Sequence, residues 1–168
     1  MEKIRLGKTE LMVTKTPRGC LPIQRCSTEE AVGILRAAYE GGINYFDTAN
    51  AYTDSEHKMG IAFQGIRENV IISTKSQGRD RDTVLRHIEN SLRELQTDYI
   101  DLFQFHQVPE MPDFDDPNGA YAGALEAKRR GWIRHIGVTA HKLELAFELV
   151  NSGMFETMQF PFSYLASE

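Results

Sequence analysis

Short apolar runs alternate with longer amphipathic stretches along this chain. The amphipathic stretches repeat apolar residues at helical spacing, whereas the short runs are typical of buried strands. The runs lie at 43–46, 70–74, 100–105, 133–138 and 157–160, with a weaker one at 18–21. The pattern therefore predicts strand–helix units in series, the arrangement that builds a parallel sheet covered by helices.

Several helix ends are visible in the sequence. Ser27 and Glu30 have the spacing of a capping box, which predicts a helix that begins there and ends at Gly41. Asp82 is the predicted N-cap of the next long helix. Further helices are predicted at 55–63, 117–128 and 143–150, and an irregular loop at 108–116.

The spacing of the strand ends favours a barrel. Ends at 47, 75, 106 and 139 lie about 30 residues apart, the length of one βα unit. An open dinucleotide-binding sheet usually has a G-x-G-x-x-G turn after its first strand, and the sequence has none. We therefore predict an α/β fold of the (β/α)8 TIM-barrel type, with residues 1–168 as a single domain and a small hairpin at 3–14.

About six βα units fit into the chain, and a barrel of this type closes only with its full strand number. Six strands would leave two sheet edges unpaired, which favours association or aggregation. The strand count therefore predicts a fragment or truncated form of a longer enzyme, or a chain that self-associates through open sheet edges.

Composition excludes several classes of protein. Hydrophobic residues make up 41% and charged residues 26%, as in ordinary globular proteins. Nineteen Lys and Arg against 24 Asp and Glu give a net charge of −5, which argues against a nucleic-acid partner. There is no apolar run of membrane-spanning length and no apolar signal segment at the start. Cys20 and Cys26 lack metal-site spacing, so we expect two reduced thiols and a cytoplasmic protein with no metal.

Three predicted strands end on an ionisable side chain. These are Asp47, Lys75 and His106, and Tyr52 follows Asp47 in the next loop. Barrel enzymes carry their chemistry at the carboxyl ends of the strands, where these residues would converge. Taken alone, the Lys–Asp pair could be structural, the histidine a core residue and the tyrosine a packed loop aromatic. Their convergence at consecutive strand ends favours a catalytic site.

Such a set suits proton transfer to a carbonyl oxygen. An ammonium at Lys75 would lower the pKa of Tyr52, and Asp47 would keep that lysine charged and aimed. His106 would orient a carbonyl oxygen or relay a proton. Hydride delivery to the carbon needs a cofactor, because no side chain supplies it.

The residues around this set resemble the aldo-keto reductase family. The resemblance rests on FDTANAYTDSE at 46–56 with MGIA at 59–62, ISTK at 72–75, SLRELQTDYIDL at 91–102 leading to His106, and GWIRHIGV at 131–138. The segments occur in the family's order and cover nearly the whole chain. The resemblance implies an NADPH-dependent oxidoreductase that reduces small carbonyl substrates, with Tyr52 as general acid and Asp47, Lys75 and His106 completing a tetrad.

The resemblance also implies cofactor contacts at the later strand ends. Members hold the nicotinamide carboxamide with a Ser-Asn pair after strand five and a glutamine on strand six. Gln159 matches the glutamine. Thr139 keeps the hydroxyl of the pair, but Ala140 lacks the amide, and His141 is the predicted substitute.

Two alternatives remain open at this stage. One is Schiff-base chemistry at Lys75, as in barrel aldolases. The other is a non-catalytic barrel subunit that senses a cofactor or binds a partner. The sequence does not name the substrate, and it does not decide between NADPH and NADH.

Overall fold

A computed structural model describes residues 1–163 as a curled half-barrel of parallel strands with helices outside it. The strands are β1 (Lys3–Arg5), β2 (Met12–Thr14), β3 (Arg18–Gly19), β4 (Tyr45–Asp47), β5 (Ile71–Ser76), β6 (Ile100–Phe105), β7 (Ile133–Thr139) and β8 (Thr157–Gln159). Strands β3 to β8 form one sheet in chain order, all parallel, as the alternation of strands and helices predicts. The α/β barrel-type fold is confirmed.

The helices are α1 (Thr28–Glu40), α2 (Ser55–Ala62), α3 (Arg81–Glu94), α4 (Ala120–Arg129) and α5 (Leu143–Asn151), with short 3-10 turns at Pro22–Arg25 and Arg67–Asn69. The capping box at Ser27 is formed in both directions. The prediction of Asp82 as a cap was wrong. Asp80 has the extended backbone of an N-cap and accepts a hydrogen bond from Thr83 N at 2.8 Å, which leaves Asp82 in the first turn.

Helix α4 begins later than predicted. Asn118 N donates to the Asp116 carboxylate at 2.9 Å, and this local turn competes with helix formation. Gly119 then takes the N-cap position with an extended backbone. Pro117 therefore lies in the loop rather than in the helix.

The core lies between the outer face of the sheet and the helices. Because side chains alternate along a strand, Phe103 and Phe105 face the helices while Gln104 points to the other side. Phe105 packs edge-on against Phe155 with ring centroids 6.0 Å apart, and Ile88 of α3 is fully buried in the same cluster. The inner face of the half-barrel carries polar side chains at the carboxyl ends of the strands.

An antiparallel hairpin precedes the sheet, with Lys3 paired to Thr14 and Arg5 to Met12. Asn44 accepts a hydrogen bond from Thr14 N at 2.8 Å, and Lys8 N donates to Glu156 O at 2.8 Å. These contacts join the hairpin to β4 and β8 at the amino end of the strands. The opposite, carboxyl end is left to the loops that carry the candidate site.

Within residues 1–163, no helix is long and apolar enough to cross a membrane. In the same part of the chain, β3 and β8 each pair with a neighbour on one side only.

Candidate active site

The parallel register brings the predicted site residues to one edge of the sheet. Asp47 is level with Ser73, Lys75 with Gln104, and Thr139 with Gln159. His106 directly follows β6. Strands β4 to β8 all run the same way, so residues far apart in sequence meet at their carboxyl ends.

Lys75 and Asp47 form a buried ion pair. The Lys75 ammonium lies 2.5 Å from Asp47 Oδ2 and donates to Thr48 O at 2.6 Å, and its side chain is only 3% exposed. Asp47 also accepts a short hydrogen bond from the Ser73 hydroxyl. Such pairing offsets the cost of removing the two charges from water. The ammonium is therefore held in place at the floor of the site.

Tyr52 lies in the loop between β4 and α2, beside the ion pair and His106. The Tyr52 ring centroid lies 5.6 Å from Lys75 Nζ and 5.8 Å from the His106 ring, which meets it edge-on. Burial, and then the charge of Asp47, raise the pKa of Tyr52 above its usual value of 10.0. The expected lowering of this pKa was wrong, because the lysine charge is already compensated by the carboxylate. Tyr52 is thus protonated at neutral pH.

His106 is neutral under the same conditions. Burial and then the charge of Lys75 lower the pKa of His106 to about 4. Its Nδ1 atom is buried and has no hydrogen-bond partner in residues 1–163. A proton relay through imidazole needs a partner at each ring nitrogen, and Nδ1 has none in this part of the chain. Of the two predicted roles, this favours orienting a carbonyl oxygen over relaying a proton.

A cleft of about 310 Å³ gathers most of the predicted residues. Thr139 is buried and its hydroxyl accepts a hydrogen bond from Gln107 N at 2.8 Å, while His141 and Gln159 are exposed. The lining residues are Tyr52, Lys75, His106, Gln107, Thr139, His141, Gln159, Phe160 and Pro161. The three predicted cofactor residues therefore border the same cleft as the proton-transfer residues, while Asp47 lies behind Lys75.

Sequence reasoning missed Gln104. Its Nε2 lies 3.4 Å from Asp47 Oδ1 and 3.3 Å from Gln159 Oε1, so the amide connects the ion pair to the last strand of the sheet. The signal was available, because Gln104 interrupts an apolar run two residues before His106 and therefore faces the same side.

No group of three or more His, Cys, Asp or Glu residues within 1–163 is arranged to hold a metal ion. Cys20 is buried and Cys26 is partly buried, and both are free thiols.

Parallel strands with ionisable side chains at their carboxyl ends define a barrel-type protein with an enzyme-like site. The chain belongs to the aldo/keto reductase family, whose model matches residues 14–164. An uncharacterized oxidoreductase, YqkF of Bacillus subtilis, is 30% identical over 97% of this chain and 56% of its own length. The methylglyoxal reductase DkgA of Escherichia coli O157:H7 is 34% identical over 73% of this chain and 44% of its own.

Solved structures show the same fold. The holo form of the aldo-keto reductase AKR11C1 from Bacillus halodurans superposes with a TM-score of 0.82, at 29% identity, over 97% of this chain and 58% of that one. An aldo-keto reductase from Klebsiella pneumoniae in complex with NADPH gives a TM-score of 0.81 at 25% identity, over 96% of this chain and 58% of that one. The chain thus spans about half the length of these relatives, from 44% of DkgA to 58% of the two solved structures.

Proposed function

We propose that this site reduces aldehydes or ketones to alcohols with a nicotinamide cofactor, and that Tyr52 is the general acid. The proposal rests on one observation. A protonated tyrosine, a neutral histidine and the lysine of a Lys–Asp ion pair line a single cleft. Family membership supports the reaction class.

Each residue has a distinct task in this proposal. Tyr52 keeps its proton until negative charge develops on the substrate oxygen, and then donates it to the forming alkoxide. His106 donates a hydrogen bond to the same oxygen from Nε2, since its Nδ1 is shut away from partners. Lys75 lies 5.6 Å from the centroid of the Tyr52 ring, where a cation–π contact helps to hold the phenol in place. Asp47 positions Lys75.

The cleft residues fit the carboxamide end of a nicotinamide. Gln159 is exposed and its amide oxygen is taken by Gln104, which leaves its NH2 group to donate towards the cleft. The Thr139 hydroxyl accepts from Gln107 and keeps its own proton for a second contact. His141 borders the same space. When bound there, the cofactor supplies the hydride.

NADPH is the proposed cofactor and a small aldehyde the proposed substrate. The first is supported by the Klebsiella pneumoniae relative in complex with NADPH, the second by the methylglyoxal reductase relatives. Calorimetric titration of NADPH and NADH into this chain tests the cofactor. We expect tighter binding of NADPH, and equal or tighter binding of NADH would contradict that choice.

The decisive test is the Tyr52→Phe variant with methylglyoxal, followed by the loss of NADPH absorbance. We expect turnover to fall about 100-fold or more, the usual contribution of a general acid. Tyr39→Phe on α1 is the matched control and should retain wild-type turnover. Full activity in Tyr52→Phe would exclude the proposed role.

The same assays separate the alternatives. A wild-type chain that binds NADPH without turnover would favour the non-catalytic cofactor-sensing or partner-binding subunit. A borohydride-trapped adduct on Lys75 would favour Schiff-base chemistry. The enclosure of the Lys75 ammonium by Asp47 and Thr48 O weighs against the latter, since a nucleophilic amine must be free to reach substrate.

A further inference from the structure

His106 lacks an anchor at one of its ring nitrogens. Nδ1 is buried without a hydrogen-bond partner in residues 1–163, and the ring meets Tyr52 edge-on at 5.8 Å. Ring nitrogens of functional histidines are commonly oriented by a hydrogen bond at the nitrogen away from the chemistry. No such hydrogen bond holds the His106 ring among the described residues. The orientation of the ring therefore depends on the position of the His106 backbone.

The backbone around His106 is held from three directions. His106 N donates to Ser76 O at 2.8 Å, and Gln107 N donates to Thr139 Oγ1 at 2.8 Å. Arg79 Nη2 donates to both His106 O and Gln107 O, each at 3.1 Å. The acceptors and donors lie on β5, β7 and the loop that precedes α3, so three separate parts of the sheet edge converge on one turn.

Gln107 explains why this turn needs support. Its φ of +51° lies in the left-handed region, which a residue with a Cβ seldom adopts without compensating contacts. The two successive carbonyls come within reach of a single guanidinium nitrogen. Removing the guanidinium would leave both carbonyls without this donor and free the turn to relax.

We propose that Arg79 is a positioning residue, which aims the His106 ring at the substrate oxygen by holding the carbonyls of His106 and Gln107. The role rests on the proposed reductase function, but the geometric effect is measurable without turnover. Arg79 also borders a separate cavity of about 280 Å³ beside the 108–116 loop. Methionine at position 79 has no hydrogen-bond donor, so it removes both hydrogen bonds, and it is not too large for the space beside this cavity.

The test compares Arg79→Met and Arg79→Lys with the matched control Arg86→Met. Arg86 is exposed on α3 and donates to Thr83 Oγ1 rather than to the turn. NMR of the histidine and tyrosine rings reports the His106–Tyr52 contact directly. We expect this contact to weaken in Arg79→Met, to recover in part in Arg79→Lys, and to stay unchanged in Arg86→Met. An unchanged contact in Arg79→Met would overturn the proposal.

Kinetics give the second readout. A displaced catalytic group lowers turnover steeply, so we expect kcat for methylglyoxal to fall roughly tenfold or more in Arg79→Met. KM for NADPH should change much less than kcat, because the turn does not carry Gln159 or His141 and reaches the cofactor residues only through the hydrogen bond from Gln107 N to Thr139 Oγ1. A fall in kcat with an intact ring contact would also overturn positioning. If wild-type protein has no reductase activity, the proposed function fails, while the ring contact still decides whether Arg79 holds His106.

Discussion

Lys58 is a buried charge that lies outside the candidate cleft. Its ammonium donates to Ile23 O at 3.0 Å and Cys26 O at 2.8 Å, and lies 2.9 Å from Asp54 Oδ2. Only 2% of the side chain is exposed. Lys58 thereby ties the turn after β3 to the start of α2, the helix that follows the Tyr52 loop.

We expect Lys58→Met to lower the free energy of unfolding by about 2 to 3 kcal/mol, because the hydrogen bonds from a charged group to Ile23 O and Cys26 O are lost. Urea denaturation measures the change. The control is Lys15→Met, since the Lys15–Glu2 pair is exposed and should contribute less than about 1 kcal/mol. Equal losses in the two variants would refute this account of Lys58.

His106 should make the fold sensitive to acid. Its pKa is about 4 in the folded protein, against an ordinary value of 6.5. Between these values the unfolded chain takes up a proton that the folded chain does not, so stability falls as the pH drops from 6.5 towards 4. We expect His106→Gln to flatten this part of the curve in urea denaturations at several pH values. An equally steep loss of stability in His106→Gln would contradict the shift.

At the residue scale, the sequence predicted which side chains meet but not their protonation. Asp47, Lys75 and His106 could be placed together because parallel strands share one carboxyl end. Whether the Tyr52 pKa is raised or lowered depends on whether the effects of burial and of the Asp47 charge are larger than that of the Lys75 charge. Only the distances and the exposure in the folded protein decide this. Gln104, by contrast, could have been recognised from the sequence, because it lies two residues before His106 and therefore faces the same side of the sheet.

Helices α3 and α4 pack closely against each other at Gly123. A Cβ on Gly123 of α4 would lie 2.7 Å from Arg81 O and 3.1 Å from Val84 Cβ. The absence of a side chain there allows the two helices to approach closely. Gly33 in α1 offers a contrast, since nothing lies within 4 Å of the Cβ position.

We expect Gly123→Ala to destabilise the protein by about 1–3 kcal/mol through overpacking. Gly33→Ala should stabilise it by about 0.5–1 kcal/mol, because alanine favours an open helical position. Thermal or urea denaturation of the pair measures both effects with the same substitution. Changes of the same sign would show that packing between α3 and α4 does not decide the outcome.

At the element scale, sequence signals located the helices better than their ends. The capping box at Ser27 was recognised because its two residues, Ser27 and Glu30, lie only three positions apart in the sequence. Asp80 and Asp82 both have the chemistry of an N-cap, and the backbone at Asp80 selects between them.

At the scale of the whole molecule, residues 1–163 expose the edges of the sheet and apolar side chains on one helix. Strands β3 and β8 are the edges of the sheet there. Leu143, Phe147 and Val150 repeat along α5 and are 49%, 61% and 50% exposed. Self-association through the sheet edges stays a prediction, as does the cytoplasmic location.

Sedimentation equilibrium tests the association. We expect an average mass above the 19.1 kDa of one chain, rising with concentration. Phe147→Lys should lower that mass more than Leu125→Lys, which places the same charge on α4. A concentration-independent mass of 19.1 kDa would rule out self-association.

The sequence by itself determined the order of strands and helices, the parallel sheet and the convergence of Asp47, Lys75 and His106, because these follow from periodicity and from the direction of the strands. The tertiary structure alone decided the protonated state of Tyr52, the neutral state of His106 and the contacts of Arg79. Protonation depends on desolvation and on nearby charges, and those contacts join residues separated by about 30 positions. Local patterns along the chain therefore predict neither the protonation states nor these contacts.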